Sequence, residues 1–233
     1  ADKTMDDGIT LSMAFTMPAA LALLIMPYFI IDGLVTRGAF TSEDARRTAE
    51  VLRHFAWGAP AFVLAKVFTP PFFARHRTKQ PAQFAMIAVG ANIVLGATLW
   101  FSLPEIGVDP ARGLAIATSV SGWLNVALLA GTLAREKVYV VSARAWGRLA
   151  RLAMACAVMG VFIGVCAWQY PMFARALLRK ELAIILVSAA GFGIFMICAL
   201  LFRAVTLAEI KGSLRREKGA PGAAGGLPGG MEG

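Results

Sequence analysis

FAWGAPAFVLAKVFTPPFFARHRTKQP (Phe55–Pro81) is an apolar run of helix length with one lysine, Lys66, near its middle. Three prolines punctuate its apolar part, and a fourth, Pro81, closes it. Pro60 and the Pro70-Pro71 pair each remove a backbone N–H, so the stretch reads as a helix with kinks at Pro60, Pro70 and Pro71. A basic turn (Arg75, His76, Arg77, Lys79) ends it. Apolar helix followed by clustered cations is the pattern of a membrane span reaching water. An ammonium group at mid-bilayer depth is costly, which makes Lys66 a functional candidate.

Outward from this stretch, composition sets the class. The chain of 233 residues is 58% hydrophobic and only 16% charged, with a mean hydropathy of +0.67. Soluble domains are about 45–50% apolar and about 25% charged. The fold class is therefore an all-α membrane protein. The net charge of +9 does not point to nucleic acid, because the basic residues lie in short clusters between apolar runs. Cys156, Cys166 and Cys198 all fall inside apolar runs, without metal-type spacing, and read as reduced packing residues.

Six stretches are long enough to span about 30 Å of hydrocarbon. They run over about 11–31, 55–74, 82–103, 113–133, 146–168 and 182–202. Residues 1–10 form a polar lead-in. Residues 211–233 form a basic and then Gly/Pro/Ala-rich tail, which cannot bury a core and is expected to be disordered. Thr41, followed by Glu43 and Asp44, is an N-cap for an amphipathic helix that feeds into the second span. With six spans, both termini share one face. That face carries fourteen Lys and Arg against eight on the other, which places the termini in the cytoplasm.

Within the spans, two roles are open to Lys66. About 13 Å of helix separates it from Arg75, too far for easy snorkelling, so it can face a water-filled cavity and hold an anionic group. Alternatively the Pro70-Pro71 break shortens its path to water and makes it an interfacial anchor. Asn92, Asn125, Ser119 and Ser121 are suited to hydrogen bonding between helices, and Gly160 and Gly164 to seating a neighbour. The uncharged runs of the fifth and sixth spans suit either a groove for lipid tails or bulk lipid. His54 and His76 lie at opposite faces, and no HExxH, P-loop or GxSxG occurs, so neither an enzyme nor a metal or cofactor site is expected.

Several motifs, in order, resemble the MurJ/MviN family of lipid II flippases, within the multidrug/oligosaccharidyl-lipid/polysaccharide exporter superfamily. They are PYFIIDGLVTRGAFT (Pro27–Thr41), the Phe55–Ala74 helix with its lysine and terminal prolines, TKQP (Thr78–Pro81), NIVL (Asn92–Leu95) and GLAIATSVSGWLN (Gly113–Asn125). The resemblance covers about Leu11 to Leu133.

It implies a fourteen-helix transporter of which this chain is similar to the last six helices. The implied activity moves the undecaprenyl-pyrophosphate-linked peptidoglycan precursor, lipid II, from the cytoplasmic to the periplasmic leaflet of the bacterial inner membrane by alternating access. Lys66 matches a lysine of the family and is implied to be a cavity cation. The last two helices are implied to offer a groove to the lipid tail. Six helices alone make half of a rocking pair, so the expected partners are the N-terminal lobe of the same protein, membrane lipids and the polyprenyl-pyrophosphate substrate. The chain, which starts on Ala, is expected to be a fragment and not to flip lipid alone. A flippase for another polyprenyl-linked glycan (an O-antigen or exopolysaccharide unit) and a non-transporting membrane scaffold are the alternatives.

Overall fold

The computed structural model describes residues 2–35, 39–169 and 180–204. Arg175, Arg179 and the 211–233 tail lie outside the described residues. Among the described residues all regular structure is helical. The helices are α1 (Asp2–Ile25), α2 (Pro27–Val35), α3 (Ser42–Ala56), α4 (Ala59–Phe68), α5 (Pro70–Ala74), α6 (Lys79–Ser102), α7 (Pro110–Arg135), α8 (Ala143–Trp168) and α9 (Lys180–Leu201). Among the described residues, five continuous stretches are long and apolar enough to cross a membrane: Lys3–Ile25, Lys79–Ile106, Pro110–Arg135, Ala143–Trp168 and Ile184–Leu201.

The second expected span, 55–74, is divided among the end of α3, α4 and α5. Its breaks are kinks. Trp57, Gly58 and Thr69 all keep right-handed helical backbone. From Ser42 to Ala74 the chain is thus one bent rod, about 50 Å long at 1.5 Å per residue. Pro27 acts likewise between α1 and α2, where Met26 N–H donates to the Ala22 carbonyl and Ile30 N–H to that of Met26.

The first ten residues differ from the expected lead-in, because α1 is helical from Asp2. The reason is tertiary. Tyr139 Oη and Ser142 Oγ each donate to the Asp6 carboxylate at 2.5 Å, and Arg148 pairs with Asp7 at 2.7 Å. Acids that look solvent-bound in sequence are held against the start of α8.

Helix α1 packs on α3, α4 and α8, helix α7 on α3, α4 and α6, and α9 on α8 and α2. Small residues set the approaches. A Cβ on Gly113 would lie 2.7 Å from Leu99 Cβ, which seats α7 on α6. Gly160 takes Leu21 and Ile25 of α1 at 3.1 and 3.2 Å from the position of its missing Cβ. The core between the helices includes Met13, Phe68, Phe72, Leu129, Leu152 and Ile163.

Helix α3 begins in a capping box: the Asp44 N–H donates to Thr41 Oγ1, and the Asp44 carboxylate accepts from Thr41 N–H at 2.9 Å. The Thr41 hydroxyl, and after it the Thr41 N–H, hold the Asp44 carboxyl below its ordinary value. A depressed pKa means that this stabilisation is present at neutral pH and is lost as pH falls through the carboxylate range, below about 4. Hydrogen exchange in the first turn of α3 is expected to accelerate on acidification. Asp44→Asn should remove most of that pH dependence, and an unchanged pH profile in this variant would show that Asp44 is not its source.

Candidate functional site

The kinked rod α3–α4–α5 carries the candidate site, and its bends follow from donors the sequence withholds. At the α3–α4 junction the Gly58 N–H donates to Phe55, and the Ala61 N–H donates to Gly58. Both bonds are one residue shorter than the α-helical pattern, so the carbonyls of His54 and Trp57 lose their usual donors. Helix α7 supplies replacements. Ser119 Oγ donates to the His54 carbonyl at 2.7 Å, and Trp123 Nε1 donates to the Trp57 carbonyl at 3.0 Å. Gly58 sits directly beneath Ser119. One turn on, Phe62 lies over Gly122, its Cε1 3.0 Å from where a Cβ would be.

Lys66 lies on the next turns of this rod. It is exposed, and it lines a groove of about 320 Å³ with Ala65, Thr69, Pro70 and Phe73. In a regular helix the carbonyls of Lys66 and Val67 would accept from residues 70 and 71, and prolines have no N–H to give. Lys66 thus stands on a groove whose other walls, apart from Thr69, are apolar, next to a proline pair that denies the Lys66 and Val67 carbonyls their helical donors. Among the described residues no carboxylate forms an ion pair with Lys66. Thr69 Oγ1 turns inward to its own helix, onto the Ala65 carbonyl at 2.7 Å.

The basic turn below the groove is tied down. Arg75 donates to Glu136 Oε2 at 2.8 Å, and Arg77 donates to Glu136 Oε1, so one carboxylate at the end of α7 holds two guanidinium groups. Arg112 pairs with Glu50 toward the opposite end of α7. Both ends of α7 are thus latched to the chain that carries Lys66.

The polar residues singled out in the spans are dispersed. Ser119 joins α7 to α3, as described. Asn92 Oδ1 accepts from Thr118 Oγ1 at 3.5 Å, a long contact between α6 and α7. Ser121, expected to bond between helices, instead donates to the Thr118 carbonyl of its own helix at 2.8 Å, because its position on α7 leaves that carbonyl nearest. Asn125 Oδ1 is buried with no hydrogen-bond partner among the described residues. None of these lines the Lys66 groove. Trp123 was not anticipated as a cap, although its indole N–H, with no acceptor nearby in sequence, is the signal that an outside carbonyl is needed.

A family model described as lipid II flippase MurJ matches residues 1–207. The match runs through α8 and α9, well beyond the motifs between Leu11 and Leu133. A protein of Rhizobium tropici named probable lipid II flippase MurJ is 34% identical over 224 residues, covering 95% of this chain and 41% of that protein. One of the same name from Vibrio cholerae is 35% identical over 212 residues, covering 89% of this chain and 38% of that protein. The chain thus spans about two fifths of the length of the curated relatives it matches. Among solved structures, lipid II flippase MurJ in an inward closed conformation matches with a TM-score of 0.62 at 20% identity, over 92% of this chain and 40% of that one. The family-model match over residues 1–207 establishes that this chain belongs to the MurJ family, and the solved structure shares its fold.

Proposed function

We propose that this bundle is the C-terminal part of a transporter that moves lipid II, the undecaprenyl-pyrophosphate-linked peptidoglycan precursor, from the cytoplasmic to the periplasmic leaflet by alternating access. The family match over residues 1–207 carries this reading. The exposed position of Lys66, with no carboxylate paired to it among the described residues, supports a cation held toward the remainder of the transporter. It would meet the pyrophosphate there or balance the charge of the cavity. The role is transport, with no covalent chemistry. The membrane is the bacterial inner membrane, with both termini of this chain cytoplasmic, as the excess of Lys and Arg on their face argues.

Depletion of the full-length protein tests the substrate. Lysis with accumulation of lipid II is the expected result. Loss of a surface glycan with intact cell wall would assign the transporter to another polyprenyl-linked unit. Unchanged lipid-linked pools of every kind would leave a scaffold as the correct reading.

A further inference from the structure

At the foot of the bundle, where α1 and α8 begin and α9 ends, lies a second cavity of about 790 Å³. Lys3, Arg144, Arg148, Arg151 and Arg203 line it, with Asp6 and Asp7. Arg144, Arg148 and Arg151 recur at the i, i+4, i+7 spacing that puts them on one face of α8. The carboxylates are already engaged. Asp6 accepts from Tyr139 and Ser142, with Arg144 beside it, and Asp7 pairs with Arg148. Among the described residues, Lys3, Arg151 and Arg203 have no ion-pair partner. The cavity is net cationic.

The backbone of Arg203 adds a second observation. Arg203 follows α9 in the left-handed region (φ 52), with its N–H on the Leu200 carbonyl and the Ala204 N–H on that of Ala199. This is the helix-ending turn that glycine ordinarily occupies. Any other residue bears a steric cost there, and in this chain a guanidinium stands there and lines the cavity. The depth is that of lipid headgroups, since the apolar stretches Lys3–Ile25 and Ala143–Trp168 start at this level and Ile184–Leu201 ends there. Trp146, 63% exposed, lies in the first turn of α8 at the same level, as interfacial tryptophans do. Above Arg151, the exposed side chains of Met154, Val158, Val161, Val165 and Trp168 continue up one ridge of α8.

We propose that this cavity is a binding site for the phosphate of an anionic phospholipid headgroup, with an acyl chain lying along the α8 ridge. A basic cavity between membrane helices at headgroup depth has the charge complementarity for a phosphodiester. The contiguous apolar ridge distinguishes a lipid from a soluble anion. The site is separate from the Lys66 groove, and its assignment stands whichever lipid-linked glycan is transported.

The test uses the full-length protein in detergent, titrated with dioctanoyl phosphatidylglycerol, dioctanoyl phosphatidylcholine and inorganic pyrophosphate. The double variant Arg151→Gln/Arg203→Gly removes two cations while keeping the left-handed turn and the Arg148–Asp7 pair. Lys79→Gln/Lys137→Gln removes two cations that do not line the cavity, as a control. The wild type and the control should bind phosphatidylglycerol more tightly than phosphatidylcholine, and the double variant should bind it about thirtyfold more weakly. Equal affinities in wild type and double variant, no preference over phosphatidylcholine, or binding of pyrophosphate without phosphatidylglycerol would each overturn the assignment. Circular dichroism and size-exclusion profiles verify that the variants are folded.

Discussion

Gly58→Ala is expected to be among the most damaging single-methyl substitutions in the chain. Gly58 has ordinary right-handed backbone (φ −81), so its requirement for glycine is one of space and not of conformation. A Cβ there would lie 2.8 Å from Ser119 Cβ and 2.9 Å from Ser119 Cα, and would also collide with the Ser119 hydroxyl. The hydroxyl could rotate, but Cα belongs to the backbone of α7 and can yield only if the helices part. Overpacking of this kind costs about 1–3 kcal/mol. Separation also strands the His54 and Trp57 carbonyls, each bond being worth about 1 kcal/mol. The sum is on the order of 3–5 kcal/mol. Thermal unfolding of the purified protein measures it. Gly90→Ala is the control: among the described residues, apart from its own helix turn, nothing lies within 4 Å of its Cβ position, and alanine favours the helix. Ser119→Gly in the Gly58→Ala background should recover part of the loss, whereas a fully stable Gly58→Ala protein would show that α4 and α7 part without penalty.

Lys66→Ala has the opposite profile, a small effect on stability and a large one on transport. Lys66 is exposed and makes no ion pair among the described residues, so the bundle loses little on its removal. A charge-assisted contact to a phosphate is worth about 1.5–3 kcal/mol, which corresponds to roughly ten- to a hundredfold in rate. In the full-length protein, Lys66→Ala is expected to insert and express normally and to fall by that factor in a flipping assay. Lys66→Arg, which retains the charge, should keep more activity than Lys66→Ala. Normal complementation by a well-expressed Lys66→Ala variant would instead assign Lys66 to the role of interfacial anchor.

The two experiments separate the jobs of neighbouring turns on one rod. Shortened hydrogen bonds at Trp57-Gly58, with proline at 60, release carbonyls that α7 caps, so this bend is built into the bundle. The second bend, at Pro70-Pro71, lies against an open groove with Lys66 on its wall. Glu136, holding Arg75 and Arg77, ties the lower end of the rod to α7. The rod is thus latched to α7 on both sides of its lysine.

Hydropathy and clustered cations determined the all-α membrane class, while proline and glycine placement led to the expected spans and kinks, of which the 55–74 span is divided among three helices. They sufficed because bilayer thickness and missing N–H groups act locally along the chain. The Thr41–Asp44 cap was legible for the same reason, its partners lying three residues apart. Contacts between distant residues were not. Ser119 and the His54 carbonyl are 65 residues apart, and Ser142 and Asp6 are 136 apart. Nothing in either local pattern names the other. Asp6 therefore read as part of a solvated lead-in, and Ser121 read like Ser119, although only Ser119 stands opposite a carbonyl that has lost its donor. Only the tertiary structure decided which face of each helix meets a neighbour. It thereby placed Lys66 in an open groove and gathered Lys3, Arg151 and Arg203 at one foot of the bundle. The reason is geometric: helical period fixes which residues share a face, while the packing of other helices fixes what that face meets.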